Sequence, residues 1–342
     1  MYALLLAGGF ATRLWPLTKD YPKPLLPLGP KRIIEFSADQ IVEMEHIRRI
    51  FISTNSVFEQ DFARWAKQRY PDKPIELIAE PSAREEQKFG TIRAMKYDLD
   101  EILSSWGPDD MLILAGDNVF SLNLLDLIEF YKRVRAPVVA AFRVKSIEEA
   151  RRFGVISVDE GSRIVEFEEK PERPKSTLIA TAIYLLPRDM LDCIGQYLEE
   201  GRNPDAPGYF FSWLSKRTDV YAYVFTGFWY DIGTLNGYLE ALRSVLSRSH
   251  IEGSADIRGR IVAPVFIGAH VLVDESSVVG PYAVIEDEVS VRGSELSRVL
   301  IMSQTSIAHT KISDSMIGMK ATISGGRITG SIIASHTKLN IG

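Results

Sequence analysis

From Ile267 onward, aliphatic residues recur every six positions: Ile267, Val273, Val279, Ile285 and Val291. The positions four residues later are Val271, Ser277, Ala283, Val289 and Glu295. An aliphatic residue and a small residue at fixed phase within a six-residue period exclude an amphipathic helix and a simple hairpin. They specify a hexapeptide β-helix, in which three hexads complete one triangular turn. The phase slips near Ser297 and resumes with the pairs Ile301 and Ile307, then Ile317 and Ile323. Roughly ninety residues organised this way make about five turns. The closing segment SHTKLNIG carries no obvious polar cap, which suggests packing against another subunit and therefore a homo-oligomer.

The chain ahead of this repeat has a different texture. Short leucine-rich or β-branched runs (Tyr2 to Ala7, Arg49 to Thr54, Ile75 to Ala79, Met111 to Ala115, Val138 to Val144) alternate with segments of helical spacing. The latter are Ile34 to Met44, Val57 to Arg69, Thr91 to Leu103 and Leu124 to Arg133. That alternation specifies an α/β fold, a Rossmann-like, mostly parallel sheet with flanking helices. From Arg152 to about Gly237 the pattern is less regular, with strands expected at Ile179 to Leu185 and Val220 to Phe225 and loops at EEKPERPKS and EEGRNPDAPG. A helix is expected at Leu235 to Leu246. The division is therefore residues 1–248 as an α/β domain and 249–342 as the β-helix.

Charge and cysteine content narrow the function. Among 342 residues, 25% are charged and the formal net charge is −5, with no run of like charges; neither nucleic acid nor a membrane surface is an expected partner. Cys193 is the only cysteine, so no intramolecular disulfide can form, and we expect it in the core. No uncharged apolar run reaches membrane-spanning length and no basic segment precedes an apolar one at the start, so a cytoplasmic protein is expected.

The stretch LAGGFATRLWPLTKDYPKPLLPLG, residues 6 to 29, follows the first strand. It has paired glycines but neither the spacing of a P-loop nor that of a dinucleotide site. Gly8 and Gly9 allow backbone N–H groups to approach phosphate oxygens, and Arg13 and Lys23 supply cations suited to a polyphosphate. Ligands in open α/β sheets lie at the carboxyl ends of strands, which puts Gly8, Gly9, Arg13 and Asp117 of AGDN on one rim. Carboxylates such as Asp117, and Asp231 in FWYDIGT, suit Mg²⁺, which takes one or two carboxylates together with substrate phosphates. FEEKP places Lys170 beside Glu168 and Glu169. The five histidines form no metal-binding or nucleophile-activating pattern.

Taken in order, LAGGFATRLWPLT, PKPLLPLG, AGDN, FGVI, EEKP, TAIY and WYDIGT make the chain resemble the sugar-1-phosphate nucleotidyltransferases. Within these it looks most like the glucose-1-phosphate thymidylyltransferases, in the long form that ends in a left-handed parallel β-helix. The resemblance implies an enzyme that joins a nucleoside triphosphate (NTP) to a sugar-1-phosphate and releases pyrophosphate, with dTTP and glucose-1-phosphate as the expected pair and Mg²⁺ as cofactor. UTP with glucose-1-phosphate and GTP with mannose-1-phosphate are the alternatives. The implied nucleotide site comprises Leu6, Ala7, Gly8, Gly9, Thr12, Arg13, Lys23, Glu80 and Gly90; the implied sugar-phosphate site comprises Gly154, Glu169, Lys170 and Thr181. Asp117 and Asp231 are the implied metal ligands, and Arg13, Lys23, Lys170 and Asp117 the implied catalytic residues.

Five positions depart from that family's pattern. Ala11 and Ala182 stand where GGxGTR and TGIY carry glycine, and Arg32 stands where KPxI carries proline. Pro24 and Glu80 stand where thymidylyltransferases carry glutamine. Two other functions remain in view: a non-catalytic regulatory relative, and a bifunctional enzyme whose β-helix transfers acetyl groups.

Overall fold

The computed structural model describes residues 1–82 and 90–342, which fall into two compact units. The first comprises residues 1–9 and 37–229, the second residues 10–36 and 230–342. The glycine-rich stretch is thus divided: its two glycines belong to the α/β unit, and everything from Phe10 to Phe36 belongs to the unit that contains the β-helix.

The α/β unit is built on a mixed nine-stranded sheet. Its main path runs through Ile164–Glu169, Gly154–Val158, Leu178–Leu186, Met111–Ala115, Tyr2–Leu6, Arg49–Asn55 and Ile75–Glu80. The four strands Met111–Ala115, Tyr2–Leu6, Arg49–Asn55 and Ile75–Glu80 are parallel neighbours. Leu178–Leu186 runs antiparallel to Met111–Ala115 and to Val138–Arg143, and Val138–Arg143 pairs in parallel with Tyr221–Phe225. The expected strands are all present. Their near-continuous apolar sequences fit a sheet covered on both faces, and Tyr2, Ala3, Leu4 and Leu5 are all buried.

Helices Glu59–Arg69, Thr91–Trp106 and Leu124–Val134 lie where the spacing placed them, each within a few residues of its expected ends. The first expected helix is shorter than its periodicity suggested, Glu35–Ile41. The irregular region from Arg152 contains structure that its composition hides. Gly154–Val158 and Ile164–Glu169 form an antiparallel pair, and the loops expected at EEKPERPKS and EEGRNPDAPG give up their ends to the strand Ile164–Glu169 and the helix Pro207–Leu214. That helix packs an aromatic group into the core: Phe211 stacks on Tyr184 at 4.2 Å between centroids, while Phe210 and Trp213 both contact Tyr197. Cys193 is half-buried and packs against this core from the start of the helix Cys193–Glu199.

In the second unit the six-residue phase builds a left-handed parallel β-helix. One wall is a six-stranded parallel ladder from Asp256–Ile257 through Leu272–Val273, Ser290–Arg292, Ser306–Ala308 and Thr322–Ser324 to Lys338–Asn340. The longer strands Glu295–Ile301 and Lys311–Ile317 bend around a corner and pair along two walls. Ile267, Val273, Val279, Ile285 and Val291 are all buried, as are Ile301, Ile307, Ile317 and Ile323. Burying a side chain of this size contributes about 1.5–3 kcal/mol, so the stacked aliphatic column accounts for the cohesion of a unit with short strands.

The slip near Ser297 has a geometric origin. Val265 pairs with Ala283 and Leu272 with Ser290, a spacing of three hexads. Beyond this, Ala283 pairs with Val299, Ser290 with Ser306 and Thr322 with Lys338, so each later coil is two residues shorter. The shorter coils turn on left-handed corner residues at matching positions: Tyr282, Arg298, Asp314 and Gly330 at one corner, and Glu288, Gln304, Lys320 and His336 at another. Buried hydroxyls satisfy the backbone between coils. The Ser277 hydroxyl accepts from the Ser294 N–H and the Ser294 hydroxyl from the Thr310 N–H, both at 3.1 Å.

Candidate active site

In the α/β unit the parallel strands Tyr2–Leu6, Arg49–Asn55 and Met111–Ala115 deliver their carboxyl ends to one edge of the sheet. There the Gly116 N–H donates to the Leu6 carbonyl (2.8 Å) and the Ala7 N–H to that of Ser53 (2.8 Å). Gly8, Gly9 and Asp117 therefore share an edge, as expected. Leu6 is half-buried and Ala7 buried, and the Asn55 amide donates to the Gly8 carbonyl at 3.0 Å.

The two glycines differ in what requires them. A Cβ on Gly8 would sit 2.5 Å from Glu80 Oε1, whereas a Cβ on Gly9 would meet nothing within 4 Å among the described residues. Gly8 is needed by the protein's own packing. Among the described residues Gly9 faces open space, which leaves room for a molecule to approach its backbone.

Glu80 is buried and accepts a hydrogen bond from the Ser53 hydroxyl at 3.0 Å. Burial pushes its carboxyl above the usual range, with the Ser53 hydroxyl opposing the shift. Asp98, on the helix Thr91–Trp106, is completely buried, and neither of its oxygens has a hydrogen-bond partner among the described residues. Burial raises its pKa well above that of an ordinary aspartate; the nearby Ser53 hydroxyl opposes the shift and the charge of Glu80 adds to it. Sequence reading gave no signal for Asp98, because an aspartate at that spacing looks like a solvated helix residue. Gly90 precedes the same helix at φ +79°, and a Cβ there would lie 2.8 Å from the Pro204 carbonyl oxygen; the fold itself explains this glycine.

In the second unit the segment from Phe10 begins with a left-handed residue, Ala11 at φ 50° and ψ 44°. The family glycine missing at this position is one the backbone conformation calls for, and alanine retains that conformation at some strain. The Thr18 hydroxyl donates to the Ala11 carbonyl (2.8 Å) and holds the turn. Thr12 and Arg13 are exposed on the short 3-10 turn Thr12–Leu14.

A Cβ on Gly233 would lie 2.6 Å from Arg13 Nη2, so the guanidinium rests directly on the glycine of WYDIGT. The Gly233 N–H donates to the Asp231 carbonyl (2.9 Å), and Thr234 caps the helix Leu235–Val245 through the Gly237 N–H (3.1 Å). Arg13 and the Asp231 turn are thereby held together in one unit. Lys23 is buried at the start of the 3-10 turn Lys23–Leu25.

Asp117 and Asp231 are both half-buried, one in each unit. No cluster of three or more histidine, cysteine, aspartate or glutamate side chains able to hold a metal occurs among the described residues. Single carboxylates are nevertheless the donor chemistry that suits Mg²⁺ completed by phosphate oxygens.

The third group of residues surrounds Glu169, in the α/β unit. Its carboxylate lies between two glycines: a Cβ on Gly154 would be 2.9 Å from Glu169 Oε2, and one on Gly208 only 1.8 Å away. Burial raises the Glu169 pKa, and the Lys170 ammonium, 3.8 Å from Oε1, pulls it back. Lys170 is exposed and sits at φ +46° immediately before Pro171, a conformation disfavoured both for a side chain and for a residue preceding proline. Strain of this kind gathers at functional sites. Gly208, on the helix Pro207–Leu214, escaped sequence reading, since its need appears only when that helix is laid across the strand carrying Glu169.

Thr181 occupies a different kind of position from the other sugar-site residues. It is fully buried, its hydroxyl donates to the Ala140 carbonyl (2.9 Å), and its own carbonyl accepts from the Asn118 amide. Its backbone carbonyl thus anchors the residue after Asp117, while its side chain ties its strand to Val138–Arg143. The adjoining Ala182 has φ 56° at a register shift in the strand Leu178–Leu186, so the second missing family glycine also falls at a left-handed residue.

The model of the family described as nucleotidyl transferase matches residues 2–248. Among solved structures, the chain is similar to a putative glucose-1-phosphate thymidylyltransferase from Bacillus anthracis crystallised with a sucrose. The identity is 24% and the TM-score 0.62, with 74% of this chain and 98% of that chain covered. That likeness extends the shared fold over most of the chain. With the family model spanning the whole α/β segment and the first helix after it, the chain belongs to the nucleotidyl transferase family.

Proposed function

We propose that this nucleotidyltransferase uses an NTP and a sugar-1-phosphate to form a nucleotide-sugar and pyrophosphate, with residues 1–248 as catalytic domain and 249–342 as β-helix. The favoured pair is dTTP with glucose-1-phosphate. One observation carries the reading: a chain matched by the nucleotidyl transferase model over residues 2–248 retains every charged position such a transfer needs, Arg13, Lys23, Asp117, Lys170 and Asp231. A purely regulatory relative would have no need to retain all five. No helix among the described residues is long and apolar enough to cross a membrane, and both proposed substrates are water-soluble anions.

The chemistry asks little of a general base. A phosphate monoester has its second pKa near about 6, so the attacking oxygen is already ionised at neutral pH. The barrier is the approach of two anions, and the protein's task is alignment and charge neutralisation. Arg13, seated on Gly233, holds the departing β- and γ-phosphates. Lys23 holds the α-phosphate, and Lys170 the attacking sugar phosphate. The open face of Gly9 lets backbone N–H groups approach the phosphate chain, and Glu80 and Gly90 line the base side. Glu169, buried between its glycines, accepts hydrogen bonds from sugar hydroxyls. Asp117 and Asp231 are the carboxylates that would bind Mg²⁺, which would supply charge neutralisation at the phosphates. The β-helix provides the surface for a homo-oligomer.

The test is pyrophosphate release across a matrix of nucleoside triphosphates and hexose-1-phosphates with Mg²⁺. Release with dTTP and glucose-1-phosphate above all other pairs is expected. Preference for UTP with glucose-1-phosphate or GTP with mannose-1-phosphate would replace the substrate pair, and no release with any pair would return the regulatory reading. An acetyl-CoA assay with amino-sugar phosphates checks the β-helix for acetyl transfer.

A further inference from the structure

The segment carrying Lys23 is fixed by a carboxylate of the β-helix. Glu286 follows the strand Ala283–Ile285 and is buried at 7% exposure. Its Oε1 accepts from Arg32 Nη1 at 2.8 Å, and its Oε2 faces the N–H and hydroxyl of Ser303 at 3.3 and 3.4 Å. The same Arg32 Nη1 donates to the Tyr21 hydroxyl and to the Leu25 carbonyl, each at 3.2 Å. Residues 21 and 25 stand two positions before and two positions after Lys23, so one guanidinium holds both sides of the lysine.

The remaining contacts of the segment lead to the same anchor. Arg32 is paired across a short hairpin, Pro27–Leu28 with Lys31–Arg32. Its backbone N–H donates to Glu35 Oε2 (3.0 Å), and the Tyr238 hydroxyl donates to the Pro27 carbonyl. Arg32 is the residue that stands where the resembled family carries proline, and a proline could make none of these side-chain contacts.

We propose that Glu286 is a positioning residue for nucleotidyl transfer: acting through Arg32, it sets the place of Lys23 and makes the first coils of the β-helix part of the phosphate-binding framework. This rests on the reading of Lys23 as the α-phosphate ligand. Arg32 Nη1 has two hydrogens for its three acceptors, so the Tyr21 and Leu25 oxygens share what the shorter, charge-assisted bond to Glu286 leaves. Losing the carboxylate leaves Arg32 without its charged partner and releases the clamp on residues 21 and 25. A misplacement of about 1 Å in a phosphate contact lowers turnover by up to about 100-fold.

Two readouts test the inference on the full-length protein. The first is amide hydrogen exchange over residues 21–28, compared among wild type, Glu286→Gln, Glu286→Ala and Asp314→Asn. Asp314 pairs with Arg298 elsewhere in the β-helix and serves as the control for general loosening. Faster exchange at Leu25 and Leu26 in both Glu286 variants, with Asp314→Asn like wild type, is expected. The second is a double-mutant cycle: Glu286→Ala should lower kcat/KM for the nucleotide by at least 10-fold in wild type, with little change in KM for the sugar phosphate. It should then add nothing in a Lys23→Ala background, with equilibrium nucleotide affinity measured for all four proteins so that the cycle compares one quantity. Unchanged exchange, equal loss in Asp314→Asn, or a full additional loss in the Lys23→Ala background would each overturn the inference. A wild-type protein that releases no pyrophosphate would overturn the reading of Lys23 instead, and the exchange comparison would still decide whether Glu286 fixes the segment.

Discussion

Replacing Gly208 by alanine puts a methyl carbon 1.8 Å from Glu169 Oε2 and 2.7 Å from its Cδ. To regain an ordinary contact of about 3.4 Å, the carboxylate must withdraw by about 1.6 Å. The oxygen is the far end of a flexible side chain, so the carboxylate yields rather than the helix, while Phe167 crowds the same methyl at 3.2 Å. The strain of such overpacking is about 1–3 kcal/mol. Alanine recovers about 1 kcal/mol of this by replacing glycine within the helix Pro207–Leu214. Net destabilisation should therefore be about 0–2 kcal/mol, leaving the protein folded. The functional effect should be much larger, because a ligand contact moved by more than 1 Å lowers kcat/KM by about 100-fold. The loss should appear against the sugar phosphate and leave the KM for the nucleotide near wild type. Steady-state pyrophosphate release with each substrate varied in turn, alongside thermal unfolding, measures both quantities. Shortening the acid in Gly208→Ala/Glu169→Asp should recover much of the stability. Wild-type kcat/KM for the sugar phosphate in folded Gly208→Ala would refute the placement of Glu169 in the sugar site.

Asp117→Ala should abolish turnover at every Mg²⁺ concentration, and near-normal pyrophosphate release would end its assignment as metal ligand. Lys170→Ala should raise the KM for the sugar phosphate more than that for the nucleotide; the reverse order in initial-rate measurements would move Lys170 out of the sugar site. At Ala11, glycine should change stability by no more than about 1 kcal/mol, whereas valine, with a branched Cβ at positive φ, should lower it by about 1–2 kcal/mol; denaturant titration reads the order. Asp98 has its folded-state pKa raised, so below the ordinary aspartate range both states hold the proton, and stability is lost as pH rises and only the unfolded chain ionises. Asp98→Asn should therefore raise the melting temperature at pH 8 relative to wild type more than at pH 4, and equal shifts at both values would contradict a protonated Asp98.

The sheet and the β-helix were legible because each repeats one physical requirement many times. A buried parallel strand such as Met111–Ala115 is apolar throughout, and a β-helix needs an aliphatic residue at each inward position. The coil shortening after Ala283 was legible only as a slip, since the left-handed corner residues, Glu288, Gln304 and Lys320 among them, have no shared chemistry to mark where a coil turns. The charged candidate residues were legible through ordered motifs. Their surroundings were not: the burial of Asp98 and Glu286 and the close approach at Gly208 are set by distant parts of the chain, and each alone resembles an ordinary helix or surface residue. Ala11 and Ala182 were read as departures from a motif. Both have left-handed backbones, the conformation that glycine adopts most readily.

The uniform later coils also set how this chain can change in length. From Ala283 onward each residue stacks on one 16 positions later, as Ala283 does on Val299 and Lys311 on Arg327. Removing or duplicating a block of that size would return every inward isoleucine and every corner to an equivalent place, whereas inserting a single residue within a strand would turn its inward residues outward. Because such a stack is held by neighbour-to-neighbour contacts, growth or loss by whole coils beyond Ser303 would leave Glu286 and its arginine untouched. The natural unit of variation for this half of the molecule is thus a coil, free to change in number beyond the strand Lys311–Ile317, which packs against the helix Leu235–Val245.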